Sequence, residues 1–180
     1  MSDFFSPGWF PAAFVTFDVE GIGAYLKGAQ QISIGGSAPT AWPAANRAIY
    51  VPAVVSGPIL VLSMFVGNGV VAGGNGDCGI YDEVGRRIVS SGSVVRAGNN
   101  NVQQYNIADT PLPPGIYYLA YAQDVTDGMQ AIAYLTLGYA RASGVLQEAG
   151  AFPLPALATF AELTSNYTPV IGASLRSQVT

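Results

Sequence analysis

The chain has 180 residues, half of them hydrophobic and only 10% charged, with seven Lys and Arg against eleven Asp and Glu for a net charge of −4. That length suits one domain, which can bury roughly 70% of its unfolded surface without a disulfide or metal staple. The scattered cations make no basic face for a phosphate backbone, and the absence of histidine removes Ser-His-Asp and Cys-His nucleophiles, His-ligated zinc and the commonest general base.

In chain order, residues 1–45 differ from the rest. Phe4, Phe5, Trp9, Phe10 and Phe14 are interleaved with Pro7, Gly8 and Pro11, which breaks any helical register. The opening "MSDFFSPGWF" has neither a basic start nor a continuous apolar run, so it predicts no signal peptide. "FVTFDVEG" then alternates, with Val15, Phe17 and Val19 on one face and Thr16, Asp18 and Glu20 on the other, as a half-buried strand does. "GGSAPTAWPAAN" returns to loop composition. The segment reads as an extended arm whose aromatics dock either on another molecule or back on their own domain.

From residue 46 to 180 the punctuation becomes regular. "RAIYVPAVV", "PILVLSMFVG", "DCGIYDEVG", "RRIVSSGSVV", "NVQQYNI", "GIYYLAYAQD", "QAIAYLTLGYA" and "PVIGASLR" are strand-like runs rich in Val, Ile and Tyr, separated by Gly, Pro, Asn and Asp clusters. The longest apolar run, Ile59 to Val66, is too short to span a bilayer. Gly85 in "DEVGRR" and Gly98 with three asparagines in "RAGNNNVQ" mark turns that need left-handed backbone. The best helical segment is "ALATFAELTSN", Ala156 to Asn166, with Leu157, Phe160, Ala161 and Leu163 on one face. In "GIYYLAYAQ" the alternation puts Ile116, Tyr118, Ala120 and Ala122 on one side and Tyr117, Leu119, Tyr121 and Gln123 on the other, and neither side suits water. These features predict an all-β fold, a two-sheet antiparallel sandwich of jelly-roll-like form with an extended N-terminal arm.

Chemistry finds little footing. Cys78 is alone, so it forms neither an internal disulfide nor a thiolate zinc site. Asp82 and Glu83 are neighbours on a strand and point to opposite faces, while Asp124 and Asp127 bracket a turn in "DVTDG" with Asx-type capping. "GNGVVA", Gly67 to Ala72, resembles a dinucleotide-binding turn, but "GGNGDCG" follows where that motif requires a helix. A calcium ion on Asp77 and loop carbonyls is the weaker reading of the same glycine-rich loop. The expectation is a non-enzymatic protein with no cofactor, no metal, no direct nucleic-acid partner and no membrane. Tyr81, Tyr105, Tyr117, Tyr118, Tyr121, Tyr134 and Tyr139 are divided between core and interface. Tyr105, Tyr117, Tyr118 and Tyr121 are the candidates for a subunit seam or a glycan platform. A surface this short of charge points to burial against other proteins.

The stretch "GIYDEVGRRIVSSGSVV…NIADTPLPPGIYYLAYAQD" resembles a β-sandwich module of tailed-bacteriophage virion proteins, over about residues 47–140, with "LPPGIYYLA" its most specific element. Members of that group are similar jelly-roll-like sandwiches on tail fibres, receptor-binding tips and capsid surfaces. The resemblance implies a virion structural protein on the particle exterior, assembled in the host cytoplasm. It implies a homo-oligomer, a trimer, contacting major capsid or tail proteins. With a short aromatic arm in place of a shaft or coiled coil, a capsid decoration or small accessory protein fits best, and a tail-fibre or receptor-binding adhesin for host glycans is the alternative. In this reading Phe4, Phe5, Trp9, Phe10 and Phe14 anchor the arm.

Overall fold

Runs of Val, Ile and Tyr between glycine, proline and asparagine clusters form strands, because β-branched and aromatic side chains pack well on a pleated surface. The computed structural model describes residues 37–132 and 137–177. The arm aromatics Phe4, Phe5, Trp9, Phe10 and Phe14 and the strand expected after them lie outside the described residues. The described strands are β1 (Ser37–Thr40), β2 (Arg47–Val55), β3 (Ile59–Gly67), β4 (Asn75–Asp82), β5 (Arg87–Ser90) and β6 (Val94–Val95). Beyond them come β7 (Val102–Leu112), β8 (Gly115–Gln123), β9 (Met129–Ile132), a helix α1 (Leu137–Ala142), β10 (Leu146–Glu148), β11 (Ala161–Glu162) and β12 (Ile171–Ser177).

The larger sheet runs β11-β10-β2-β8-β4-β5, with β6 also paired to β4, and the smaller runs β12-β3-β7. A ribbon of β1 and β9 is joined to the small sheet by single bridges, Asn68 to Met129 and Ala131 to Pro169. Every one of these pairings is antiparallel. The two sheets pack face to face, so the chain is an all-β two-sheet antiparallel sandwich. Between them lie Ile49, Val51, Ala53 and Val55 of β2, Cys78 and Ile80 of β4, and Tyr117, Leu119 and Tyr121 of β8. They meet Val61, Met64 and Val66 of β3, Tyr105 and Ile107 of β7, and Ile171 and Ala173 of β12.

The second face of the large sheet is also apolar, and the chain covers it itself. Ala48 and Tyr50 of β2, Tyr81 of β4 and Ala120 and Ala122 of β8 form a second cluster with Ala151 and Leu154, against which Phe152, Ala158 and Phe160 pack. Residues 149–160 thus lie across the outer face as an irregular strap. They form no helix, although Leu157, Phe160, Ala161 and Leu163 were spaced for one. Pro153 and Pro155 disfavour a helical start, and the strap backbone pairs with the β4–β5 hairpin instead. Arg87 N–H donates to the Ala156 carbonyl, Ala158 N–H donates to the Gly85 carbonyl, and Arg86 and Leu157 form an antiparallel bridge. The four apolar residues then go to different places: Phe160 to the outer cluster, Leu163 to the inner core, and Leu157 and Ala161 to solvent.

Two other segments differ from their sequence reading. "QAIAYLTLGYA" is strand only over Met129–Ile132, and Leu137–Ala142 is helical. Leu, Ala and Arg are good helix formers, and Gly144 at φ +79° supplies the left-handed residue that ends the helix. Ser37–Thr40 is a strand rather than a loop, and Trp42 beyond it is buried against Tyr121 and Tyr167 with ring centroids 5.4 and 5.2 Å away. Its indole N–H donates to the Arg47 carbonyl at 3.1 Å. The expected turns are as read: Gly85 sits at φ +85°, Gly98 at +86° and Asn100 at +51°.

Candidate functional surface

Tyrosines were the main sequence candidates, and three of the four are inside. Tyr105 and Tyr121 are fully buried with their hydroxyls 3.4 Å apart, and Tyr117 is buried with its hydroxyl donating to the Pro113 carbonyl at 2.9 Å. Gly76 on β4 leaves room for that pair, since a Cβ there would come within 2.3 Å of the Tyr121 hydroxyl and 2.6 Å of the Tyr105 hydroxyl. Burial pushes the phenol pKa values of all three up. Rings inside one chain's core cannot stack on a sugar, so the interface reading of Tyr105, Tyr117 and Tyr121 is corrected: alternation on β8 sends 117, 119 and 121 to the inner layer. Tyr118 faces outward and is half-buried, with its ring 4.8 Å from Phe160.

The outer face is built around small residues. Gly79 pairs with Ala120 and Ala48 with Ala122, which makes a shallow trough beneath the strap. Leu154 sits over Gly79, where a Cβ would lie 2.9 Å from its Cδ1. Tyr50 and Tyr81 reach over β8 from either side and meet edge to face at 5.2 Å. Tyr50 donates to Glu148 Oε2 at 2.6 Å and Tyr81 to the Pro155 carbonyl at 2.6 Å. Asp77, fully buried, accepts from Ser90 Oγ at 3.0 Å, Ser91 Oγ at 3.1 Å and Leu154 N–H at 3.0 Å. Burial raises the Asp77 pKa, and the donated hydrogen bonds offset part of that rise. Arg87 donates to the Leu154 carbonyl. The ionisable groups of this face therefore hold the strap down.

One end of the sandwich is a polar loop cluster. Asp124 accepts from Asn75 N–H and Asn75 Nδ2, each at 2.7 Å, and Asp127 accepts from Gly73 N–H at 2.9 Å. The two acids reach across to the glycine-rich loop rather than capping their own turn. Burial favours the neutral form of Asp124, but the Asn75 donors outweigh it and the pKa falls. Arg96 is 2% exposed and donates to the Gly73 and Gly128 carbonyls, both at 3.1 Å. It joins three loops, and among the described residues no carboxylate lies at salt-bridge distance from it. Its sequence surroundings, "SVVRAGNNN", carry no hint of burial, so sequence reasoning passed it over.

Among the described residues the other acids stand apart. Asp82 Oδ1 accepts from Val84 and Arg86 N–H in the hairpin turn, Glu83 is exposed, and Asp77 is on the covered outer face. Among the described residues no three His, Cys, Asp or Glu side chains are grouped to hold a metal ion, and no helix is long and apolar enough to cross a membrane. Large apolar side chains also reach solvent: Val54, Val84, Ile116 and Leu157 around the strap, and Val70, Val71 and Val95 near the loop end. Comparison with protein-family models, curated proteins and solved structures finds no match to this chain.

Proposed function

We propose that this chain is a non-enzymatic bacteriophage virion structural protein, an exterior oligomeric β-sandwich attached to the particle as a capsid decoration or small accessory protein. One observation carries the assembly part of this reading. The buried or clamped groups Asp77, Tyr50, Tyr81, Arg96 and Asp124 are engaged in internal hydrogen bonds, while several exposed positions, Val54, Val84, Ile116 and Leu157 among them, hold large apolar side chains. A surface with that balance suits burial against other subunits or a shell. The resemblance of residues 47–140 to virion modules supports the setting, and the aromatic arm supplies an anchor in which Phe4, Phe5, Trp9, Phe10 and Phe14 dock on capsid, tail or neighbouring subunits.

The reading expects the chain as a fixed-stoichiometry component of purified particles. Removing residues 1–20 is expected to lower its incorporation at least tenfold, since five aromatic anchors would be lost. Particles without the chain, or truncation with unchanged incorporation, would contradict it. A glycan array with the isolated protein is expected to stay silent, because Tyr105, Tyr117 and Tyr121 are committed to the core. Specific glycan binding would move the reading to the adhesin alternative.

A further inference from the structure

Asp77 is 0% exposed, and among the described residues no cation stands at salt-bridge distance from it. Its contacts are neutral groups. Ser90 Oγ lies 3.0 Å from Oδ1 and 3.3 Å from Oδ2, Ser91 Oγ lies 3.1 Å from Oδ1, and Leu154 N–H donates to Oδ2 at 3.0 Å. Each serine already receives a backbone donor: Cys78 N–H donates to Ser91 Oγ and Gly92 N–H to Ser90 Oγ, both at 3.0 Å. The Ser91 hydroxyl has one proton and two acceptors in reach, Asp77 Oδ1 and the Gly92 carbonyl at 3.0 Å. When it donates to Gly92, its remaining lone pair accepts from a protonated Oδ1, while Ser90 Oγ and Leu154 N–H still donate to Oδ2. The site thus satisfies a neutral carboxylic acid by turning hydroxyl hydrogens alone. Arg87 of β5 is the charged group that acts on Asp77, and its guanidinium donates to the Leu154 carbonyl. The other titratable neighbours are Cys78 and Tyr81 of β4 and Tyr105 of β7, each held neutral by burial, while Glu148 of β10 is engaged by the Tyr50 hydroxyl.

We propose that this network is a proton-controlled latch on the strap of residues 149–160. With the proton on Asp77 the strap is closed. When that proton leaves to solvent, a carboxylate without an ion partner remains in a dry site, and lifting Leu154 admits the water it lacks. The strap is the element that gives way. Ser90 belongs to the β4–β5 ladder, whereas the strap is held at Leu154 and Pro155 by the side chains of Asp77, Arg87 and Tyr81, and beyond them by the Arg87 and Ala158 amides. Lifting it uncovers the trough of Ala48, Gly79, Ala120 and Ala122, so acidity sets how much apolar surface the sheet presents. The direction follows from burial, which raises the Asp77 pKa in the closed form. Closure is favoured below the ordinary carboxylate pKa and weakens as pH rises through the raised value. The latch uses contacts within one chain and stands apart from the virion reading.

The test is amide hydrogen exchange on the full chain from about pH 4 to about pH 8, with each rate divided by its intrinsic value. Protection of the Leu154, Ala158 and Arg87 amides, which lie along the strap seam, is expected to fall at least roughly tenfold across that range. The β3–β7 ladder on the other sheet is expected to keep its protection, which separates a local opening from global unfolding. Asp77→Asn keeps the shape, offers an amide N–H to Ser91 and has no proton to lose, so its strap protection is expected to be flat with pH. Carbon-13 NMR of the side-chain carboxyl groups reads the same proton in the wild type, whether or not the variant folds. Asp77 is expected to remain protonated at a pH where free carboxylic acids are ionised. Strap protection that ignores pH, a fall shared by the β3–β7 ladder, an Asp77→Asn chain that tracks the wild type, or an Asp77 carboxyl that ionises together with free carboxylic acids would overturn the proposal.

Discussion

Burying an ionised carboxylate costs several kcal/mol unless donors replace the lost water. Asp77 has three such donors, and each belongs to a segment that must be fixed to the large sheet: two serines after the hairpin and the amide of Leu154 in the strap. Asp77→Ala is expected to lower the unfolding free energy by about 2–4 kcal/mol in denaturant titration, since it leaves those donors facing an apolar pocket. The pH dependence has a definite sign. The folded pKa of Asp77 is raised by burial, so the folded chain holds this proton more tightly than the unfolded one. Stability from this group is present below the ordinary carboxylate pKa and is lost as pH rises through the folded value. Relative to Asp77→Asn, the wild type is therefore expected to gain stability as pH is lowered from 7 towards 4, while a gap that widens in the opposite direction contradicts this account. In the sequence "GNGDCG" Asp77 reads only as a loop acid, because its donors lie 13 to 77 positions away.

The strap and the loop clamp decide the fold at the level of elements. Leu154 fills the trough that Gly79 and Ala120 leave, so Leu154→Ala is expected to cost about 2–4 kcal/mol, and Gly79→Ala about 1–3 kcal/mol by overpacking against Leu154 and the Val89 carbonyl. Both are read as a lower melting temperature. At the loop end, Arg96→Met would leave the Gly73 carbonyl without its Arg96 donor and the Gly128 carbonyl with only the Gly69 N–H, an expected loss of about 1–3 kcal/mol, with faster amide exchange confined to the three clamped loops. The large strands and the Gly85 turn were legible because side-chain alternation and left-handed turn chemistry are local signals. The strap was not, since its apolar residues fit a helical spacing and only the distant trough of Ala48, Gly79, Ala120 and Ala122 makes extended chain the better solution. Trp42 was hidden for the same reason: its partners Tyr121 and Tyr167 are remote in sequence.

For the whole molecule, the strand that is apolar on both sides has a concrete explanation. β8 lies between β2 and β4, its odd face fills the space between sheets, and its even face lies largely under the strap, leaving Ile116 in the open. Of the tyrosines offered for a subunit seam or glycan platform, Tyr105, Tyr117 and Tyr121 belong to the core, because periodicity separates two faces of a strand but does not tell which neighbour covers each. The surface left over is short of charge and carries exposed valine, isoleucine and leucine, which is the physical basis for reading the chain as an assembly component. Imaging the intact particle at a resolution that separates β-sandwich domains tests this most directly. The account expects copies of this fold on the particle exterior, in contact with capsid or tail subunits. Particles lacking that density, with the chain found free as an 18.6 kDa monomer, would contradict it.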